Sequence, residues 1–116
     1  MVKYLTNAFS LNMLSFPATV VLDIDEISSK EFCDELASNT IVNAIGHKGT
    51  VDIINNLCRT NYNTNRIQIQ LINNDVLLIP QVTFRIDEGK VLSREELEDM
   101  LRKGLIKFLK VRVNYI

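Results

Sequence analysis

Apolar residues recur along the chain with two different periods, and these periods predict a mixture of strands and helices. Short runs rich in β-branched and large apolar residues predict strands at Val2–Leu5 and Ala18–Asp23. The polar segment between them contains Ser10, which is expected to cap a single helical turn. Thr40–Ile45 is an uncharged run that predicts a buried strand.

Two capping signatures predict the starts of helices. Ser28 precedes Glu31 by three residues, and Ser93 precedes Glu96 by the same spacing, which is that of a capping box. Apolar residues at helical intervals follow both pairs. The first helix is expected to run to about Ser38, and the second to end before Gly104.

A glycine-flanked turn over Gly46–Gly49 separates the buried strand from a further amphipathic segment. Thr50 is expected to cap this segment. Its apolar residues recur at helical spacing and are Val51, Ile54, Leu57 and Cys58. The turn should therefore deliver His47 close to the start of a helix.

The second half of the chain predicts three more strands. Ile67–Leu71 alternates between apolar and polar residues, and Val76–Ile86 should return antiparallel to it as a hairpin after the turn residues 73–75. Pro80 indicates an edge strand or a bulge, because proline lacks the backbone N–H that a ladder uses. Ile106–Val111 is the last predicted strand.

Composition limits the fold to one domain over residues 1–116. Of its residues 47% are hydrophobic and 23% charged, the balance of a globular protein, and the chain is too short for two ordinary domains. The predicted fold class is α+β, with a mixed sheet of about five strands flanked by helices. No apolar run approaches the roughly 20 residues that a membrane-spanning helix needs, and no signal peptide is recognisable.

Cys33 and Cys58 stand alone, with no cysteine or histidine nearby at metal-ligand spacing. They are expected to be buried free thiols in a reducing cell, which favours the cytoplasm.

The net charge of −1 argues against a protein that coats nucleic acid, since that mode of binding neutralises many phosphates. A small anionic ligand would need only a few cationic groups.

His47 is the only histidine and lies beside Gly46 at the predicted turn. Glycine allows a ligand to approach the backbone closely, and free N–H groups at a helix start favour anions. A phosphate could therefore bind beside the imidazole. The alternative is a histidine with a purely structural role.

Three charged residues could bind or orient an anion. Arg85 and Glu88 follow the predicted hairpin strand, and a guanidinium matches phosphate oxygens bidentately. The alternative for this pair is a solvated ion pair before a turn. Arg66 is either a phosphate ligand or an ordinary exposed charge.

Polar donors after the first strand and cations near the carboxyl terminus are open to two interpretations. Asn7, Ser10 and Asn12 could contact bases or phosphates, or could cap the short helical turn. The basic stretch is either a nucleic-acid contact or a solvated face, and comprises Lys103, Lys107, Lys110 and Arg112. No Walker loop, zinc pattern or acidic metal cluster is present, so we expect no metal and no cofactor.

Three ordered blocks resemble a viral and bacterial family that includes the type III anti-CRISPR ring nucleases. They are Tyr4–Leu14, Val42–His47 and Arg85–Ser93. The resemblance implies a homodimer that binds cyclic tetra-adenylate across its two-fold axis. It further implies cleavage of that ring to linear adenylates with 2′,3′-cyclic phosphate ends, which would counter or switch off type III CRISPR signalling.

The resemblance also assigns roles to individual residues. His47 matches the catalytic histidine, and Arg85 and Glu88 match positions linked to phosphate and substrate binding, so these three form the expected catalytic set. The expected substrate-binding residues are Asn7, Ser10, Asn12, Gly46 and Arg66. In this mechanism a ribose 2′-hydroxyl attacks its own 3′-phosphate while an imidazole protonates the departing 5′-oxygen.

Two other functions remain compatible with the sequence. A noncatalytic protein could sequester the messenger, with His47 acting only as a ligand. A virion or DNA-associated interaction module would use the basic carboxyl-terminal stretch, although the net charge disfavours binding to duplex DNA. The expected location is the cytoplasm, of the host cell if the protein is viral.

Overall fold

One five-stranded mixed sheet organises the protein, and the computed structural model describes residues 1–38, 40–85 and 91–116 of it. The elements in chain order are β1 (Lys3–Leu5), a 3-10 turn (Leu11–Met13), β2 (Val20–Ile27), α1 (Ser29–Ser38), β3 (Ile41–Asn43), α2 (Lys48–Cys58), β4 (Val76–Val82), α3 (Arg94–Arg102) and β5 (Ile106–Tyr115). The predicted α+β class, with about five strands and flanking helices, is confirmed.

The strand order is β2-β5-β4-β1-β3, which places the short strand β1 between two parallel neighbours. Lys3 of β1 is in register with Ile41 of β3 and with Val76 of β4. The long strand β5 runs antiparallel to both β4 and β2. Since β3, β1 and β4 are parallel, their carboxyl ends meet at one edge of the sheet.

The two faces of the sheet are covered in different ways. The helices cover one face, where Phe32 of α1 and Phe108 of β5 pack with their ring centroids 4.7 Å apart. On the other face, Leu77 and Val111 belong to a second apolar cluster. The 3-10 turn and irregular segments, rather than α-helices, cover this second cluster, through Met13, Leu14, Ile69 and Leu71.

The helix boundaries largely follow the capping signatures. Ser93 accepts a hydrogen bond from the N–H of Glu96, whose carboxylate accepts one from the N–H of Ser93, so the predicted capping box is present in full. Ser28 accepts from the N–H of Glu31 at the start of α1. Gly104 ends the α3 region with a φ of 69°, a backbone conformation that suits glycine.

The predicted strand over Ile67–Leu71 is wrong. Among the described residues, this segment has no ladder partner. Its side chains nevertheless alternate in burial, since Ile69 and Leu71 are buried and Ile67 is exposed. The N–H of Leu71 donates to the carbonyl of Met13, and its own carbonyl accepts from the hydroxyl of Tyr115. An extended segment lying across an apolar face therefore produces the period of a strand without joining the sheet.

The predicted hairpin between this segment and β4 is consequently wrong as well. Residues 73–75 do turn the chain, with Asn74 at a φ of 72°. The buried carboxylate of Asp75 accepts hydrogen bonds from the N–H groups of Val2 and Ile72, each at 2.9 Å. These bonds direct β4 into the middle of the sheet, between β1 and β5.

Pro80 lies in this central strand and not at an edge or a bulge. The carbonyl of Asp75 accepts from the N–H of Val113 in β5, and the N–H of Thr83 donates to the carbonyl of Leu105 just before β5, so odd-numbered residues of this segment face β5. Even-numbered residues face β1, as the bond from the N–H of Val76 to the carbonyl of Val2 illustrates. Pairing between β1 and β4 ends at Leu5, opposite Leu78. The nitrogen of Pro80 therefore lies beyond the end of β1, where the sheet needs no hydrogen bond from it.

The expectation of two free thiols is wrong, because Cys33 and Cys58 form a disulfide. Their Cα atoms are 5.1 Å apart, within the usual range for such a bond. The disulfide joins α1 to the last residue of α2. Two cysteines on separate predicted helices carry no sign in the sequence that the helices lie side by side.

Glu35 of α1 links the helix layer to the sheet through two cations. Its carboxylate lies 2.8 Å from the ammonium groups of Lys3 on β1 and Lys110 on β5. Hydrogen bonds from Lys110, which has the larger effect, and from Lys3 lower the pKa of Glu35 from its ordinary value.

Within the described residues, no helix is long and apolar enough to cross a bilayer.

Candidate functional site at the carboxyl edge of the sheet

The three motif-bearing segments follow the carboxyl ends of three neighbouring parallel strands. Asn7 comes just after β1, Gly46 and His47 just after β3, and Arg85 just after β4. In sheets with parallel strands, the crevice outside these ends is the usual location of ligands. Strand order therefore collects residues that are far apart in the sequence.

His47 is the N-cap of α2, in place of the predicted cap Thr50. It has extended backbone angles, and its Nδ1 atom accepts from the backbone N–H of Thr50 at 3.4 Å. Thr50 is thus the third helical residue, which donates to the cap. With Nδ1 as an acceptor, the neutral ring carries its proton on Nε2, on a side chain that is exposed.

A short polar chain connects the end of β1 to this imidazole. The amide Nδ2 of Asn7 donates to the hydroxyl of Thr50 at 3.0 Å, and that hydroxyl lies 3.5 Å from Nδ1 of His47. Thr50 is buried, with an exposed fraction of 4%. Asn7, predicted as a substrate-binding residue, therefore makes a contact inside the protein, and its contact with a substrate stays a prediction.

Gly46 and Arg66 fit closely against one another. The Nε atom of Arg66 donates to the carbonyl of Gly46 at 3.1 Å. A Cβ atom at position 46 would lie 2.8 Å from Cγ of Arg66, which is too close for any side chain to be accommodated without movement. Arg66 does not open a strand, as the alternating pattern predicted, but it is held against the turn that carries His47.

Asparagine side chains fasten the segment before Arg66 to the end of β3. Asn65 donates through Nδ2 to the carbonyl of Asn43 and through its N–H to the carbonyl of Ile45. Asn43 in turn donates to the carbonyl of Asn63 at 2.6 Å. These bonds explain how an irregular segment can hold an arginine in a defined place.

Ser10 and Asn12 lie on the exposed segment after β1, farther along the chain than Asn7. Ser10 occupies the N-cap position of the 3-10 turn, as predicted, but its side chain makes no capping hydrogen bond. The carbonyl of Ser10 accepts from the N–H of Met13 instead. In the described part of the chain, neither side chain hydrogen-bonds to His47.

Arg85 is exposed and follows the last residue of β4, Val82, by three positions. Its predicted companion Glu88 falls outside the described residues, so the relationship between the two is a sequence prediction only. Among the residues that the structure describes, no group of three or more metal-ligating side chains occurs.

The sequence interpretation missed the role of Thr50 as a partner of the imidazole. The available signal was the three-residue spacing from His47 to Thr50, which is the spacing from an N-cap to the residue that donates to it. The amide contacts of Asn43 and Asn65 had no comparable signal, because they depend on the path of an irregular segment.

Comparisons with known proteins agree on one family. A sequence profile described as STIV B116-like matches residues 3–108. Uncharacterized protein ORF116 of Acidianus filamentous virus 1 is 44% identical over 114 residues, which is 98% of this chain and 97% of that protein. Uncharacterized protein 26 of Sulfolobus islandicus filamentous virus is 33% identical over 81 residues, 69% of each chain.

The fold is also similar to a solved structure, that of B116 of Sulfolobus turreted icosahedral virus. The TM-score is 0.84 at 41% sequence identity, and the match covers 96% of this chain and 98% of that one. The described fold is therefore shared with a viral protein across nearly the whole length of both chains.

Proposed function

The chain belongs to the STIV B116-like family of archaeal-virus proteins, and we propose that it is a metal-independent ring nuclease that cleaves cyclic tetra-adenylate. The observation that carries the proposal is the placement of His47 at the start of α2, with Thr50 donating to its Nδ1, at the sheet edge where Asn7 and Arg85 also follow strand ends. The resemblance of the three blocks to ring nucleases supplies the identity of the substrate.

The reaction needs one proton donor and no redox group. The 2′-hydroxyl oxygen of one ribose attacks the adjacent phosphorus and releases its proton to solvent, while the bond from phosphorus to the 5′-oxygen breaks. That oxygen takes a proton from Nε2 of the His47 imidazolium, which becomes a neutral ring whose Nδ1–H can donate to the hydroxyl of Thr50, and solvent then restores the proton on Nε2. The products are linear adenylates that end in a 2′,3′-cyclic phosphate, and a positioned acid of this kind contributes roughly 10²- to 10⁴-fold.

Positive groups at this edge of the sheet suit the phosphates of such a ring. The N–H groups of Lys48 and Gly49 lie in the first turn of α2, where the helix dipole favours anions. Arg66 uses its Nε for Gly46, which leaves the terminal nitrogens of its guanidinium for a ligand. Arg85 would stabilise the charge that develops on the transferring phosphate, with Glu88 orienting it.

A homodimer completes the proposal. A ring of four equivalent nucleotides has two-fold symmetry, and an isologous dimer presents the same residues twice around such an axis. Two copies of His47, Arg66 and Arg85 would let a chain of net charge −1 bind four phosphates. We place this activity in the cytoplasm of the infected cell, where it would counter type III CRISPR signalling.

The test combines cleavage and binding of labelled cyclic tetra-adenylate in EDTA. Wild-type protein and Lys30→Ala, a variant at an exposed position on α1, should open the ring, whereas His47→Ala should bind the ring and leave it intact. Binding without cleavage by the wild type would instead identify a protein that sequesters the messenger. Neither binding nor cleavage would indicate an interaction module and refute the proposal.

A further inference from the structure

Thr50 touches the imidazole that we propose as the acid, yet it is too buried to be a ligand-facing residue. Its exposed fraction is 4%, whereas His47 is exposed. Both its backbone N–H and its hydroxyl face Nδ1 of His47, at 3.4 and 3.5 Å. Such a residue can influence the reaction only through its neighbours, of which His47 carries the proposed chemistry.

The hydroxyl of Thr50 complements both protonation states of the ring. When Nδ1 is unprotonated, the backbone N–H and the hydroxyl proton can both be donated to it. When Nδ1 carries a proton, the N–H group no longer has an acceptor, but the hydroxyl oxygen can accept from Nδ1–H. A hydroxyl has two lone pairs and one proton, so it can change roles without any movement of the ring.

Asn7 fixes the orientation of that hydroxyl. Its Nδ2 donates to the hydroxyl oxygen at 3.0 Å, which occupies one lone pair and leaves the second lone pair and the proton for His47. Asn7 follows β1, whereas Thr50 and His47 belong to α2 and its cap. The contact therefore ties the imidazole to the sheet as well as to its own helix.

We propose that Thr50, oriented by Asn7, is a positioning residue that keeps the His47 ring in one orientation through a cycle of proton loss and gain, with Nε2 directed to the ligand. This inference rests on the proposed function for its catalytic consequence. The hydrogen-bonding relationship on which it depends can be measured without any substrate.

Two substitutions at the same position separate positioning from simple packing. Thr50→Val keeps the shape of the side chain and the backbone donor but removes the hydroxyl. Thr50→Ser keeps the hydroxyl and loses a methyl group. Thr60→Val is the matched control, because Thr60 donates its hydroxyl to Asn55 at 2.8 Å just beyond the opposite end of α2.

The first readout is nitrogen NMR of the imidazole, which is unambiguous because the chain has one histidine. In the neutral ring of the wild type, Nε2 should be protonated and Nδ1 unprotonated. Thr50→Val keeps the backbone donor, so its neutral ring should stay protonated on Nε2, but the Nδ1 resonance of its protonated ring should shift because Nδ1–H has lost the hydroxyl that accepts from it. Thr50→Ser and Thr60→Val should match the wild type in both protonation states. A wild-type ring protonated on Nδ1 would overturn the inference.

The second readout is the separation of kcat from KM for ring cleavage. Thr50→Val should lower kcat by about 10- to 100-fold, in line with the cost of a misplaced catalytic group, and should change KM much less, because the buried hydroxyl does not face the ligand. Thr50→Ser should restore most of kcat. Equal kcat values for wild type and Thr50→Val would overturn the positioning role. A wild type that cleaves nothing would refute the proposed function, and the NMR measurement alone would then test the hydrogen bonds between Thr50 and His47.

Discussion

Nδ1 of His47 accepts a hydrogen bond from the backbone N–H of Thr50 at 3.4 Å, so the side chain proposed to carry the chemistry is also the cap of α2. Capping of the helix occupies Nδ1 of His47, and Nε2 is the ring nitrogen that could contact a ligand. His47 therefore has a structural role as a cap beside the catalytic role that we propose for it, and substitutions can separate the two.

The first prediction concerns the two roles of His47. His47→Asn should retain the cap, because asparagine is a preferred N-cap residue, and should lose ring cleavage. His47→Ala should lose cleavage and also about 1 kcal/mol of unfolding free energy. Denaturant unfolding of both variants checks this prediction, and equal stability of the two would argue against the capping role.

The second prediction concerns the contact between Gly46 and Arg66. Gly46→Ala places a Cβ atom 2.8 Å from Cγ of Arg66, so the arginine must move and ring binding should weaken about tenfold, the cost of about one charge-assisted hydrogen bond. Gly104→Ala is the matched control, since its φ of 69° strains alanine but nothing lies within 4 Å of the added carbon. It should reduce stability and leave binding unchanged.

A double variant sharpens this second test. If Gly46→Ala acts by displacing Arg66, then it should have no further effect on binding in an Arg66→Ala background. Additive losses measured by titration calorimetry would mean that Gly46 is needed for another reason, such as close approach of the ligand to the backbone.

The third prediction follows from the lowered pKa of Glu35, which hydrogen bonds from Lys110 and Lys3 stabilise in its charged form. A carboxyl group whose pKa is lowered by folding stabilises the fold at pH values above its ordinary pKa of 4.5. This contribution is lost as the pH falls through the lowered pKa of the folded state. Glu35→Gln should be about 1 to 3 kcal/mol less stable than wild type at pH 7. The difference should shrink below about pH 4.5, and a constant difference would contradict the assignment.

The fourth prediction concerns the disulfide between Cys33 and Cys58, which closes a loop with a sequence separation of 25. Loop-closure entropy of the unfolded chain gives about 3 to 4 kcal/mol for such a bond. Reductant should therefore lower the melting temperature of the wild type and leave that of a Cys33→Ser, Cys58→Ser variant unchanged. Identical melting with and without reductant would mean that the bond contributes nothing.

Local signals in the sequence were sufficient for the helices and for most strands. The caps at Ser28 and Ser93 mark where α1 and α3 begin, and their signatures depend only on residues three positions apart. The runs that became β1, β3 and β4 were identified for a similar reason. Strand lengths were less accurate, since β5 reaches Tyr115 and β2 reaches Ile27, beyond their predicted ends.

Features that depend on tertiary contacts were not predictable. Ile67–Leu71 has the alternation of a strand because it crosses an apolar face, and Pro80 is tolerated in a central strand because β1 is short. The pairing of Cys33 with Cys58 depends on two helices lying side by side. Disulfides also persist inside the cells of some hyperthermophiles, so a cysteine pair does not identify a compartment.

The sequence was sufficient to propose a set of candidate site residues, but it did not show where in the fold these residues lie. The blocks around Asn7, His47 and Arg85 stood out in the sequence, and only the strand order shows that they follow three neighbouring strand ends. The burial of Thr50 and the contact of Arg66 with Gly46 required coordinates.

The measurement that tests the central claim most directly is mass spectrometry of cyclic tetra-adenylate after incubation with wild-type protein in EDTA. The account predicts linear adenylates that carry 2′,3′-cyclic phosphate ends, formed without metal and absent with His47→Asn. An intact ring in the wild-type reaction, or products formed equally by His47→Asn, would contradict it.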